Sequence, residues 1–179
     1  MATEVQIAGT GTTDSSVGTL AWRNPSNITA DDGSVTDDWF AKSGTGLIYS
    51  EYLKSTNFGF SIPDGATIDG ITVEFKDFAT NNAGYTKDWS VKLVKGGTVQ
   101  GNDKADQALL SGDKTYGGSS DLWGITLSSS DVNASDFGVV FQSQENTVDF
   151  NMVMEWDYCQ ITAHYTEVAT NTGAFFQLF

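Results

Sequence analysis

One stretch constrains the fold more than any other. It runs Tyr52-Leu53-Lys54-Ser55-Thr56-Asn57-Phe58-Gly59-Phe60-Ser61-Ile62-Pro63-Asp64-Gly65 and on through Ile71-Thr72-Val73-Glu74-Phe75. Proline presets φ for a turn and glycine accepts the positive φ that often follows. The pattern predicts a strand ending at Ile62, a tight turn at Pro63-Asp64-Gly65 and a second strand from Ile71, together a central hairpin. On that second strand Ile71, Val73 and Phe75 point one way while Thr72, Glu74 and Lys76 point the other, the period of a half-buried strand.

The same grammar recurs along the chain. Trp89, Val91 and Leu93 alternate with Ser90 and Lys92, and Phe137 to Phe141 reads as another strand. From Val148 to Tyr165 the apolar residues first occupy even positions (Phe150, Met152, Met154, Trp156). Beyond Asp157 they occupy odd ones (Cys159, Ile161, Ala163, Tyr165). Such a phase flip predicts a bulge or a break between two strands. Ser130-Asp131-Val132-Asn133 predicts a capped helical turn, and no longer helix-period segment occurs. With 19 glycines and 2 prolines, many short strands and tight turns are expected. The expected fold is all-β: a single antiparallel β-sandwich, jelly-roll-like or Ig-like, over residues 20–166. Residues 1–19, rich in Thr, Gly and Ser, form an N-terminal arm or edge strand in which Val5 and Ile7 alternate. Residues 167–179 form a C-terminal tail. Residues 100 to 120 read as one long polar loop.

Composition narrows the function. A chain of 179 residues with 39% hydrophobic content can bury a core as one domain. The net charge of −14, from 23 acidic and 9 basic residues, opposes contact with a phosphate backbone, so no nucleic-acid partner is expected. No membrane partner is expected either: no run is apolar enough to span a bilayer, and the first residues lack the basic and apolar regions of a signal peptide. A single cysteine, Cys159, excludes an intramolecular disulfide and reads as a buried, inert thiol.

Candidate chemistry is sparse. His164 is the one histidine and reads as an outward or rim side chain. Asp31, Asp32, Asp37 and Asp38, or Asn102, Asp103 and Asp106, could offer oxygens to calcium, but neither group has the spacing of a calcium loop. Paired carboxylates could hydrolyse a glycoside, yet no signature selects two of the 23. The expectation is therefore no enzyme, no catalytic residue, no metal and no cofactor. The tryptophans could stack sugar rings; their alternation with aliphatics points instead to the core. Trp123, with Tyr116 beside the long loop, is the best candidate for an exposed ligand surface. The strongest partner-binding signal is the end of the chain, Gly173-Ala174-Phe175-Phe176-Gln177-Leu178-Phe179. Each exposed large apolar side chain there forgoes about 1.5–3 kcal/mol of burial. Phe175, Phe176, Leu178 and Phe179 either fold back onto their own sandwich or latch into a neighbour. Deletion of residues 173–179 is expected to reduce assembly and leave the β circular-dichroism spectrum intact; unchanged assembly would refute the latch.

Several segments together resemble a family of bacteriophage and prophage proteins. They are Ala21-Trp22-Arg23-Asn24-Pro25, the Tyr52 to Phe60 segment, the Ile62 to Ile71 turn and Leu93-Val94-Lys95-Gly96-Gly97. Further along come Gly117-Gly118-Ser119-Ser120-Asp121-Leu122-Trp123-Gly124, Asn133-Ala134-Ser135-Asp136-Phe137-Gly138-Val139 and Ile161-Thr162-Ala163-His164-Tyr165-Thr166. The resemblance spans residues 20 to 166. It implies a virion-associated β-sandwich such as a head decoration (cement) protein, head fibre or tail-associated module, with no catalytic residues to carry over. The expectation is a non-enzymatic structural protein, made in the host cytoplasm and located in the virion. It would contact the major capsid protein or other virion proteins, as a homo-oligomer for which a trimer suits the threefold positions of a capsid. The alternative is a carbohydrate- or receptor-binding module of a tail fibre.

Overall fold

The computed structural model describes residues 1–39, 46–80, 86–147 and 153–169. In chain order the strands are β1 (Ala2–Ile7), β2 (Thr10–Asp14), β3 (Thr36–Asp37), β4 (Gly46–Tyr49), β5 (Tyr52–Thr56), β6 (Thr67–Lys76) and β7 (Ala79–Thr80). There follow β8 (Thr86–Lys95), β9 (Thr98–Gln100), β10 (Lys114–Gly117), β11 (Gly138–Thr147), β12 (Met154–Trp156) and β13 (Tyr158–Thr166). A 3-10 turn spans Pro25–Ile28, and one helical turn, α1, spans Ser129–Val132. Among the described residues no helix is long and apolar enough to cross a membrane.

Two antiparallel sheets pack face to face. One has the order β1-β13-β6-β10. The other runs β2-β5-β11-β8-β9, with β4 pairing the far end of β11. A small third sheet, β3-β12-β7, closes one end. Eight strands in chain order (β1, β5, β6, β8, β9, β10, β11, β13) pair first with eighth, second with seventh, third with sixth and fourth with fifth. That nesting is a long hairpin rolled into two sheets, which settles the architecture as a jelly roll rather than an Ig-like sandwich.

The core follows from period-two alternation. Ile71, Val73 and Phe75 on β6 and Val139 and Phe141 on β11 are fully buried between the sheets. Phe75 sits 5.0 Å from Phe141 and 5.5 Å from Trp156, ring centre to ring centre. Cys159, Ile161 and Ala163 continue this face on β13. The phase flip is a break between strands: β12 ends at Trp156, Asp157 turns the chain, and β13 starts at Tyr158. Ser128 caps α1 by accepting from the Asp131 N–H, while the Asp131 carboxylate accepts from the Ser128 N–H.

Four expectations are corrected. The central hairpin is not one, because β5 and β6 lie in opposite sheets. β5 stops at Thr56, where Asn57 takes a left-handed φ of 57°, and residues 57–66 cross between the sheets. Phe58, Phe60 and Ile62 keep their alternation because the crossing segment buries them in the same core. The turn itself is present: the Ala66 N–H donates to the Pro63 carbonyl at 3.1 Å, with Gly65 at φ 76°. Second, Trp89 does not share the inward face of Val91 and Leu93. It is the extra residue of a β-bulge, since Gln142 pairs with Ser90 but Ser143 pairs with Asp88. Third, the segment read as one loop over 100–120 ends in β10, a four-residue strand at the edge of the first sheet. Last, residues 1–19 contain two edge strands, β1 on one sheet and β2 on the other.

Candidate functional site: an open sheet edge

The edge formed by β1 is set by its hydrogen-bond phase. The Ala8 N–H donates to the Cys159 carbonyl at 3.0 Å, continuing the register in which Ile7 faces Gln160 and Gln6 faces Ile161. Bonded and non-bonded pairs alternate in an antiparallel ladder. Ala2, Glu4 and Gln6 therefore turn their amides and carbonyls toward β13, and Thr3, Val5 and Ile7 turn theirs outward. Among the described residues none of those outward groups has a hydrogen-bond partner. Val5 is 52% exposed, on the outer face opposite Thr162, while Thr3 faces His164, whose ring nitrogen lies 3.0 Å from the Thr72 hydroxyl.

The other edges are shorter or covered. β10 and β4 have four residues each and β9 has three. The 3-10 turn lies against β2, where a Cβ on Gly11 would come within 2.0 Å of the Pro25 carbonyl oxygen. On β1 the one charged side chain, Glu4, turns inward; its carboxylate accepts from the Ser61 N–H at 3.1 and 3.3 Å and from Gln6 Nε2 at 2.9 Å. An inward-turned edge charge usually deters association. Here its hydrogen-bonding capacity is already used within the chain.

Of the residues singled out in the sequence, Val5 and Ile7 fall on this edge. Phe175, Phe176, Leu178 and Phe179 lie outside the described residues. Trp123 and Tyr116 are not exposed. Trp123 is fully buried and donates through Nε1 to the Ile71 carbonyl at 2.9 Å. The glycine-rich segment before it is its socket: Gly117, at φ 73°, leaves the space in which a Cβ would meet the indole nitrogen at 2.6 Å. Tyr116 is 5% exposed and donates to Asp88 Oδ2 at 3.0 Å. The tryptophan that sequence reasoning missed is Trp39, 39% exposed, with the Arg23 guanidinium 5.1 Å from its ring centre.

A second feature, with no sequence signal pointing to it, is a group of buried acids between the sheets. Asp38, Asp88 and Glu145 are each 1% exposed or less. Ser143 Oγ donates to Asp38 Oδ2, the Met154 N–H donates to Asp38 Oδ1 at 3.0 Å, and Thr86 Oγ1 donates to Glu145 Oε2 at 2.7 Å. Among the described residues Glu145 Oε1 and Asp88 Oδ1 are buried without a partner. Burial, reinforced by the charge of Asp38, pushes the Glu145 carboxyl up to about 9. Burial also pushes Asp38 up to about 6 against its two hydrogen bonds, and raises Asp88. Closed from solvent, all three carboxyls favour the protonated form more than an exposed acid does, and each therefore makes stability depend on pH. Burial likewise pushes the Cys159 thiol up, as an inert cysteine requires.

The acidic clusters read as calcium candidates come apart in three dimensions. Asp37 pairs with Arg23 and Asp38 is buried. Asp103 accepts from Ser90 Oγ at 2.6 Å and from the N–H groups of Val91 and Ala105 at 2.8 and 3.1 Å. Asp106 pairs with Lys114 at 3.1 Å. Instead Asp31 meets Asp77 and Asp157, each offering an oxygen within 4.8 Å of the others. Three carboxylates supply part of the six to eight oxygens calcium takes, and Asp157 already accepts the Gly33 N–H through both oxygens, at 3.1 and 3.2 Å.

Fold and edge together define an all-β jelly-roll sandwich with one sheet open along its N-terminal strand. Comparison with known proteins finds no match, whether to a family model, to a curated protein or to a solved structure.

Proposed function

We propose that this chain is a non-enzymatic structural protein of a tailed bacteriophage virion, a capsid decoration (cement) protein that reinforces the head through contacts between subunits. The observation that carries the reading is the open β1 edge, six residues long, with the backbone groups of Thr3, Val5 and Ile7 directed outward. A strand of a neighbouring subunit adds to such an edge through main-chain hydrogen bonds. The partners are the major capsid protein or other virion proteins, and copies of the chain itself. Binding to the assembled lattice stabilises it by mass action. Jelly rolls serve viral capsids and lectins alike, so the architecture agrees with the reading and does not carry it. The charge of −14 favours solubility at the local concentration that display in many copies demands.

Exposed Trp39 favours a second reading, a carbohydrate- or receptor-binding module of a tail fibre, with its partly exposed ring as a platform for a sugar. Cryo-electron microscopy or antibody-gold labelling of purified particles separates the two. Label over the head is the expected result. Label at the tail tip promotes the second reading, to be followed by glycan titration against Trp39→Ala. Absence from the particle overturns both.

A further inference from the structure

We propose that two copies of this chain pair β1 against β1, antiparallel about a twofold axis through Val5, joining their four-stranded sheets into one continuous sheet of eight. This deepens the proposed function, resting on its reading of β1 as a contact edge, and names a second copy as the occupant.

The register follows from the outward groups. Only Thr3, Val5 and Ile7 direct their amides and carbonyls to the open side, so every bonded pair across a symmetric junction joins two of these three. An axis through Glu4 would oppose the two Glu4 carboxylates directly, and like charges facing across a strand pair are destabilising. An axis through Gln6 shortens the overlap and leaves Thr3 unpaired. An axis through Val5 uses all three residues: Val5 faces Val5, Thr3 faces Ile7, and Glu4 faces Gln6 of the partner subunit. The one charged side chain of the strand is then opposed by an uncharged amide rather than by a second carboxylate. The Val5 side chains, 52% exposed in the single chain, meet as a β-branched cross-strand pair. A symmetric contact of this kind closes at two copies and leaves the opposite edge, β10, to other contacts.

A single strand pair buries less than the interface of about 1,600 Å² typical of stable complexes. Association is therefore weak in dilute solution and strengthens where copies are held side by side. Covalent trapping suits such a contact. In Val5→Cys the two introduced thiols face each other across a bonded pair with Cα atoms about 5.5 Å apart, within disulfide range, and native Cys159 is buried. Mild oxidation of the full chain is expected to give a disulfide dimer for Val5→Cys and none for Thr12→Cys, at the exposed position of the covered strand β2. Val5→Pro removes one outward N–H and no bond to β13, a place where an edge strand tolerates proline. It is expected to keep the β circular-dichroism spectrum and to abolish the concentration-dependent rise in sedimentation coefficient of the wild-type chain. A wild-type chain that stays monomeric at all concentrations, with no more dimer from Val5→Cys than from Thr12→Cys, overturns the self-pairing. If particle labelling then remains over the head, the proposed function survives that result; a trapped dimer absent from particles would do the reverse.

Discussion

Gly138 begins β11 opposite Thr56, and a Cβ there would stand 2.0 Å from the Ser55 carbonyl oxygen. Neither backbone can move without disturbing the ladder between β5 and β11. Gly138→Ala is expected to cost about 1–3 kcal/mol, the range for overpacking a close contact, read as a lower urea midpoint at unchanged slope. Glu145 presents the opposite case, a polar group whose protonation decides its fitness. Its carboxyl holds a proton in the fold up to about pH 9, whereas in the unfolded chain it releases that proton near its ordinary value. Between those two values the folded state binds more protons, so this group's contribution falls steadily as pH rises. Glu145→Gln keeps the shape and the acceptor oxygen for Thr86 and carries no proton to lose. It is expected to flatten the decline in stability between pH 5 and pH 9 and to be the more stable protein at pH 9. An undiminished decline, measured by urea unfolding at several pH values, would show that Glu145 does not titrate in this range.

At the scale of elements, residues 101–113 hold little regular structure, yet Asp103 ties them to β8 through Ser90, Val91 and its own turn. Asp103→Ala removes three acceptor contacts and strands a buried amide. It is expected to cost about 1–3 kcal/mol and to raise hydrogen exchange selectively in β9, β10 and the chain between them. Uniform loss of protection would instead mean global unfolding. The elements also show what is legible in the chain. β6 reads directly from Ile71 onward, where its inward residues are all apolar and its outward ones all polar, as does the strand break at Asp157. The start of β6, Thr67 to Gly70, is hidden by a shift in register against β13. The pairing of strands does not read, since alternation reports a buried face and not which sheet owns it; Phe58, Phe60 and Ile62 keep the rhythm while leaving one sheet for the other. β8 is obscured by its bulge and by Asp88 and Ser90, polar residues buried on opposite faces. The edge at β1 is legible only as Val5 and Ile7, because the direction of its amides depends on a partner some 160 residues away. The burial of the acids Asp38, Asp88 and Glu145 leaves no trace in sequence, as it brings together β8, β11 and the residue after β3.

At the scale of the whole molecule, two populations of carboxylates pull in opposite directions. Asp131 is held low by the Ser128 hydroxyl, the Ser128 amide and Lys95, and Asp14 by the Ser16 hydroxyl and amide. Groups lowered in this way stabilise the fold above their unfolded values, and that help is lost as pH falls through their folded values. Asp38, Asp88 and Glu145, all raised, help most when protonated and lose their contribution as pH climbs through theirs. The two trends meet on the acid side of neutrality. Thermal unfolding is expected to show its highest Tm near about pH 5, with decline on both sides. A maximum at pH 8 would mean that the buried acids are ionised in the fold.

The nested pairing of the jelly roll bears on how the chain is made. Among the described residues the strand earliest in sequence is held by the one latest in it, since β1 pairs with β13. Until Tyr158 to Thr166 has emerged, β1 has both edges bare and no sheet to join. Pairings of such wide sequence separation form slowly, and nascent chains with bare strand edges are prone to stick to one another. Closure of the first sheet therefore waits on β13, and until then both edges of β1 need shielding from other chains.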